Sequence, residues 1–274
     1  MGAFCVMRFS FFRFAVLALL IFFTDTSTSW CEEPWAESPE LAALFKNADI
    51  EGTFVLYDVN DDSFIGHDET RAKKRFIPAS TFKIPNSLIG LSVGAVKNVD
   101  EILPYGGEKQ PIASWERDMS LRDAIKISNV AIYQELARRI GLENMQKGVS
   151  ALHYGNAEIG KTADIFWLEG PLEISAIEQT RFLADLARKK LPFPAEAQEA
   201  VRDIIMTEQG GGWTLFAKTG TVARQRPRVG WWVGWVEKND RIYSFAINLS
   251  MHKSEDADKR AGLGRACLQA LGIL

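Results

Sequence analysis

Three cysteines and three histidines in 274 residues are too few and too scattered to suggest a metal centre or a disulfide-stapled core. His67, His153 and His252 have no ligand spacing between them. Cys5 falls in an N-terminal leader, and Cys31 and Cys267 stand near opposite ends of the remaining chain. Those two could bond only if the terminal segments pack together; two free thiols are the simpler expectation, and the pairing stays open. There is no run of Lys and Arg, and the net charge is −3, so the electrostatic footprint of a nucleic-acid binder is missing. No internal repeat or low-complexity linker divides the chain. A long apolar run is lacking too: Phe14 to Phe23 is about half of the ~20 residues that a membrane span needs.

What is present begins with that short run. Arg8 and Arg13 sit at its front and small polar residues come after it as far as Ser29, the pattern of a secretory signal over residues 1–29, cleaved after about Ser29. Bulky Trp30 before Cys31 reads against lipid attachment, so no stable membrane anchor is expected. Export across an inner membrane to the periplasm is the expected route. Residues 30–274, net charge −4, are then expected to form a single domain, with 47% hydrophobic content and eight tryptophans in the chain as a whole to fill its core.

The order of elements predicts an α+β fold. Pro39 to Phe45 has the spacing of a short helix, and Gly52 to Asp58, Asn60-Asp61-Asp62 and Ser63 to His67 read as a hairpin. From about 78 to 205 the chain is helical in pattern, without a clear strand. Its best-marked helix is capped by Ser120, with Asp123 three residues on, and runs through Ile132 and Ile140 to Gly141. Strand patterns return at Trp213 to Ala217, Val229 to Val236 and Ile242 to Leu249, the last two joined by Lys238-Asn239-Asp240, and Ala261 to Leu274 closes with a helix. Hairpin connections point to an antiparallel sheet, with the terminal helices on one face and the inserted helical region on the other.

Two motifs suggest chemistry and fail on context. Gly90-Leu91-Ser92-Val93-Gly94 matches a nucleophile elbow, but helix rather than strand precedes Ser92. Gly212 to Thr219 resembles a phosphate loop, yet its bulky strand-forming residues cannot wrap a phosphate.

A third constellation holds together. In Pro78-Ala79-Ser80-Thr81-Phe82-Lys83 a serine and a lysine three apart share one helical face. Ser128-Asn129-Val130, Tyr154-Gly155-Asn156, Lys218-Thr219-Gly220 and Trp231-x-x-Gly234 come after it in order. S-x-x-K with K-T-G marks penicillin-recognising serine enzymes. With Phe82 inside the first motif, S-x-V as the second and Y-G-N as the third, the mature chain resembles the class D serine β-lactamases, the oxacillinases.

That resemblance implies hydrolysis of the β-lactam amide through an acyl-enzyme on Ser80, giving β-lactam resistance, with a small-molecule β-lactam substrate as the expected partner and the oligomeric state open. It implies that Lys83 carries carbon dioxide as N6-carboxylysine and is the general base, so the enzyme needs no cofactor beyond carbon dioxide or bicarbonate. Burial favours the neutral amine that such a reaction requires. Trp167 is implied to hold the carbamate and Val130 and Leu168 to shield it. Ser128 is implied to relay a proton to the leaving nitrogen, with Lys218 supplying positive potential. The backbone N-H groups of Ser80 and Thr221 are implied to form the oxyanion hole. Thr219, Gly220 and Arg260 are implied to bind substrate, Arg260 through its carboxylate with Arg265 as a competitor, and Tyr154 and Asn156 to shape the wall. Thr221 departs from the family, which often has an aromatic residue there. Pro85 is expected to distort the first turn after Ser80. A penicillin-binding sensor module and a D-alanyl-D-alanine carboxypeptidase share the serine and lysine and stand as alternatives.

Overall fold

Strand β1 (Trp35–Glu37) leads into helix α1 (Pro39–Asn47), which starts where Ser38 accepts the Leu41 N-H and Pro39 presets the first turn. The expected hairpin is next, as β2 (Gly52–Asp58) and β3 (Ser63–His67), then helix α2 (Glu69–Lys73). The structure is a computed structural model that describes residues 1–2 and 34–274. Apart from its first two residues the expected leader lies outside the described residues, as do its cleavage point and Cys31. By backbone contact, the described residues 34–274 belong to one unit.

The inserted region winds through α3 (Lys83–Ser92), α4 (Leu121–Lys126), α5 (Val130–Ile140), α6 (Leu142–Ala151), α7 (Phe166–Glu169), α8 (Ala176–Ala187) and α9 (Ala195–Ile205), with 3-10 turns at Ala79–Phe82 and Ala113–Trp115. One expectation is corrected here. The helix read from Ser120 to Gly141 is two helices, α4 and α5, because Ser128 takes a left-handed φ of 59° between them. Ser120 does cap the first, accepting the Asp123 N-H, while Asn129 caps the second through the Ile132 N-H. Apolar spacing survives the break, and so the pattern alone reads as continuous.

Four strands then close the sheet: β4 (Met206–Gly210), β5 (Trp213–Val222), β6 (Arg228–Lys238) and β7 (Arg241–Met251), before helix α10 (Asp256–Ala270). The order is β1-β3-β2-β7-β6-β5-β4, antiparallel except for β1 against β3. Sequence pattern missed β1 and β4, both short edge strands; β4 is almost wholly exposed and shows no apolar alternation.

Central β6 is covered on both faces, which is why Val229 to Val236 is apolar almost throughout. Trp231 and Trp235 face the helical region, and Trp232 faces α1 and α10. Gly234 is obligatory there, since a Cβ would stand 2.0 Å from the Phe216 carbonyl oxygen on β5. Cys267 is buried on the inner face of α10 and has no disulfide partner among the described residues. Between helical region and sheet, Phe82 stacks on Trp167 and meets Tyr154 and Phe166 edge to face, and this buried aromatic cluster anchors the turn that carries Ser80.

Candidate active site

Ser80 lies in the 3-10 turn just ahead of α3. Pro85 has no N-H to offer the Thr81 carbonyl, and the chain winds more tightly there. In such a turn residues three apart eclipse one another. The Lys83 amino group accordingly reaches the Ser80 hydroxyl, Nζ donating to Oγ at 2.9 Å. Ala79, before the serine, holds a left-handed φ of 49°, a conformation costing roughly 1 kcal/mol for a residue with a side chain. The turn is fastened from behind. Thr81 Oγ1 donates to the Pro78 carbonyl at 2.8 Å and accepts from Gln179 Nε2 at 2.9 Å, and Gln179 Oε1 accepts from the Tyr154 hydroxyl at 3.3 Å.

Lys83 has no exposed surface, and its Nζ stands 5.3 Å from the centre of the Tyr133 ring. Burial pushes its pKa well below the ordinary lysine value, and the positive charge of Lys218 pushes the same way. Trp167 is equally buried, and its indole N-H has no hydrogen-bond partner. Leaving such a group unmatched costs about 1–3 kcal/mol.

Strand β5 supplies the facing wall. Gly220 comes so close to the Ser80 turn that a Cβ would meet the Pro78 carbonyl oxygen at 3.0 Å and Thr81 Cγ2 at 3.1 Å. Lys218 Nζ donates to Ser128 Oγ and to the Thr219 carbonyl, each at 2.9 Å. Burial lowers its pKa to about 7, helped by the charge of Arg260. Arg260 reaches over from α10, its stem passing where Gly230 has no side chain. Arg260 Nη1 donates to the Gly220 carbonyl at 2.8 Å and to Thr221 Oγ1 at 2.7 Å. A serine bonded by a buried lysine, with a second serine held by a second lysine on a strand beside an arginine, is an arrangement for acyl transfer on an anionic substrate.

A protein-family model, the penicillin binding protein transpeptidase domain, matches residues 52–269. The chain is 40% identical over 240 residues to Beta-lactamase OXA-48 of Klebsiella pneumoniae, covering 88% of this chain and 91% of that one. Its backbone superposes on the crystal structure of FUS-1 (OXA-85), a class D β-lactamase from Fusobacterium nucleatum subsp. polymorphum, with TM-score 0.84 and 45% identity over 87% of this chain and 99% of that one. The class D β-lactamase YbXI from Nostoc matches with TM-score 0.83 and 40% identity, covering 85% of this chain and 99% of that one. The chain belongs to the class D serine β-lactamases.

In this class D β-lactamase the rival motifs are structural. Ser92 ends α3, its hydroxyl donating to the Leu88 carbonyl at 2.6 Å, and Gly211 and Gly212 turn β4 into β5 with positive φ. Arg265 pairs with Glu208 and lies over Trp232, which leaves Arg260 beside Gly220. The expectation for Tyr154 is corrected. Tyr154 is fully buried behind Phe82 and cannot form a substrate wall. Asn156, half-buried, donates to the Pro171 carbonyl at 2.8 Å and accepts the Glu173 N-H at 3.1 Å, holding the segment after α7. Arg224, in the β5–β6 loop, pairs with Glu169 next to Leu168 at 2.8 Å. Sequence reasoning missed Gln179, which carries no motif, and Asn129. The latter could have been found as a cap residue directly before an apolar periodic run.

Proposed function

We propose that the β-lactamase works through Ser80 as nucleophile and Lys83, carboxylated on Nζ, as the base. The observation that carries this reading is the pairing of a fully buried Lys83, driven toward its neutral amine, with a buried, unpartnered Trp167 indole N-H. A neutral amine adds carbon dioxide and an ammonium does not; a buried N-H is what an anion in that pocket would need. Carboxylated, Lys83 would take the Ser80 proton on acylation and a proton from water on deacylation. Val130 and Leu168 keep water from the group.

The other residues take roles that follow from their contacts. Ser80 Oγ attacks the lactam carbonyl, and the N-H groups of Ser80 and Thr221 hold the oxyanion, an interaction whose loss typically costs 10²–10³-fold in rate, roughly 3–4 kcal/mol. Ser128 passes a proton to the departing nitrogen. Lys218, donating to its hydroxyl, makes that proton easier to release. Arg260, with Thr219 and Gly220, receives the substrate carboxylate, and the Thr221 hydroxyl orients the guanidinium, which an aromatic residue at 221 could not do in this way. Export to the periplasm puts the enzyme where β-lactams arrive.

The test is mass spectrometry of the purified protein mixed with a penicillin, with and without bicarbonate, for the parent and Lys83→Ala. The parent should show a transient adduct on Ser80 and full turnover, and K83A should hold whatever adduct it forms. An adduct on the parent that lasts for hours in bicarbonate would indicate a sensor instead. Faster release of terminal D-alanine from peptides than β-lactam turnover would indicate a carboxypeptidase.

A further inference from the structure

Ser128 stands in a backbone conformation that its own sequence does not favour, and one residue outside the recognised motifs is bonded on both sides of it, through its side chain to one neighbour and through its backbone carbonyl to the other. Helix α4 ends in a Schellman turn. The Asn129 N-H bonds back to the Ala124 carbonyl at 2.9 Å and the Ser128 N-H to the Ile125 carbonyl at 3.3 Å. The left-handed residue of such a turn is usually glycine, whereas here it is Ser128 at φ 59°. Reversal of the chain at Ser128 takes the Ile127 carbonyl out of the helical ladder, and this carbonyl accepts the indole N-H of Trp115 at 3.1 Å. On the other side, Asn129 Nδ2 donates to the Trp115 backbone carbonyl at 3.1 Å while Asn129 Oδ1 caps α5 through the Ile132 N-H. Both residues flanking Ser128 are therefore tied to Trp115, which belongs to the short 3-10 turn Ala113–Trp115 and lies twelve residues or more away in sequence.

We propose that Trp115 is a positioning residue for the Ser128 hydroxyl: its two hydrogen bonds fix the left-handed turn that presents Ser128 Oγ to Lys218 Nζ and to the leaving nitrogen. The inference rests on the reading of Ser128 as the proton relay. Catalytic geometry tolerates little displacement, since a shift of about 1 Å can cost ~100-fold. A flank of Ser128 left free to relax toward ordinary helix would rotate the hydroxyl away from Lys218, although neither side chain would have changed. Protonation of the nitrogen matters on acylation, when the amide bond breaks, and has no part in deacylation, when the leaving group is the Ser80 oxygen. Trp115 should therefore act on one half of the cycle.

The experiment compares the parent, Trp115→Phe, which keeps a ring and removes the N-H, and Asn129→Ser, which keeps a capping oxygen and removes the donor to Trp115, by stopped-flow acylation and deacylation with a penicillin in bicarbonate. Ser128→Ala and the double variant W115F/S128A complete a cycle. W115F should slow acylation by about 5–30-fold, leave deacylation within about twofold, and spare a phenolate ester substrate whose leaving group needs no proton. In the S128A background W115F should cost little more, because residues acting through one group are not additive. N129S should repeat the pattern if W115F does not fold. An equal penalty with and without Ser128, or equal slowing of ester and penicillin, would overturn the proposal and make Trp115 a structural or substrate-contact residue. S128A acylating at the parent rate would instead overturn the proton-relay reading itself.

Discussion

Replacing Trp167 by Phe removes the one indole N-H that the proposed mechanism sets against the carboxylated Lys83. The ring stays stacked on Phe82, 5.5 Å between centroids, and meets Phe166 edge to face at 5.0 Å. In the uncarboxylated protein the indole N-H is buried without a partner, so its removal relieves roughly 1–3 kcal/mol. That relief offsets much of the packing lost with the smaller ring, and thermal stability without bicarbonate should change little. The carboxylated protein behaves differently. There the N-H would bond an anion, an interaction worth about 1.5–3 kcal/mol. Adding ~2 kcal/mol for that bond to at least ~1 kcal/mol of relief in the uncarboxylated protein, and taking tenfold per ~1.4 kcal/mol, carboxylation of Lys83 should weaken at least about 100-fold. Steady-state penicillin hydrolysis against bicarbonate concentration at fixed pH measures this, with the carbamate carbon followed by NMR in labelled bicarbonate. W167F should need at least about 100-fold more bicarbonate for half-maximal rate and recover when saturated. An unchanged half-saturating concentration would refute the role given to Trp167.

Two further substitutions test the same contacts. Lys218 titrates at about 7 in the fold against an ordinary 10.5, so between those values the unfolded chain binds the extra proton and stability rises with pH. The cost of burying the charge is complete below pH 7 and is on the order of 5 kcal/mol. Lys83, lowered in the same direction, adds to the slope. Lys218→Met should therefore be inactive yet more stable than the parent at pH 7, with the gap closing toward pH 10.5; urea unfolding at several pH values reads it, and a pH-independent gap would contradict the assignment. Gly234→Ala forces a Cβ against the Phe216 carbonyl oxygen in a two-sided core. It should destabilise by at least about 2 kcal/mol in the same assay, marking Trp231-x-x-Gly234 as a packing motif, in which Trp231 Nε1 also donates to the Ile77 carbonyl at 3.0 Å.

The features legible in the sequence were those whose cause is local. Ser80 and Lys83 meet because three residues of tight helix bring them together, and Pro85, two positions past Lys83, announces the distortion that aligns them. Hairpins at Asn60-Asp61-Asp62 and Lys238-Asn239-Asp240 arise from turn residues between apolar runs, and β6 from an apolar stretch covered on both faces. Strands β1 and β4 escaped because short edge strands need no apolar alternation. Tyr154 was misplaced because a motif names residues that recur together without saying which of them face the cleft and which brace it.

By itself, then, the sequence determined the family, the pairing of Ser80 with Lys83, and the sheet that frames them. Each of these is a matter of spacings along the chain. Only the tertiary structure decided that Lys83 is sealed from water, that Lys218 reaches Ser128 from 90 residues away, and that Arg260 rather than Arg265 stands beside Gly220. It also turned one apparent helix into two at Ser128. The physical reason is common to all four: a pKa, a left-handed turn and a cross-chain hydrogen bond depend on what surrounds a residue once distant segments have packed, and a linear pattern does not contain that surrounding.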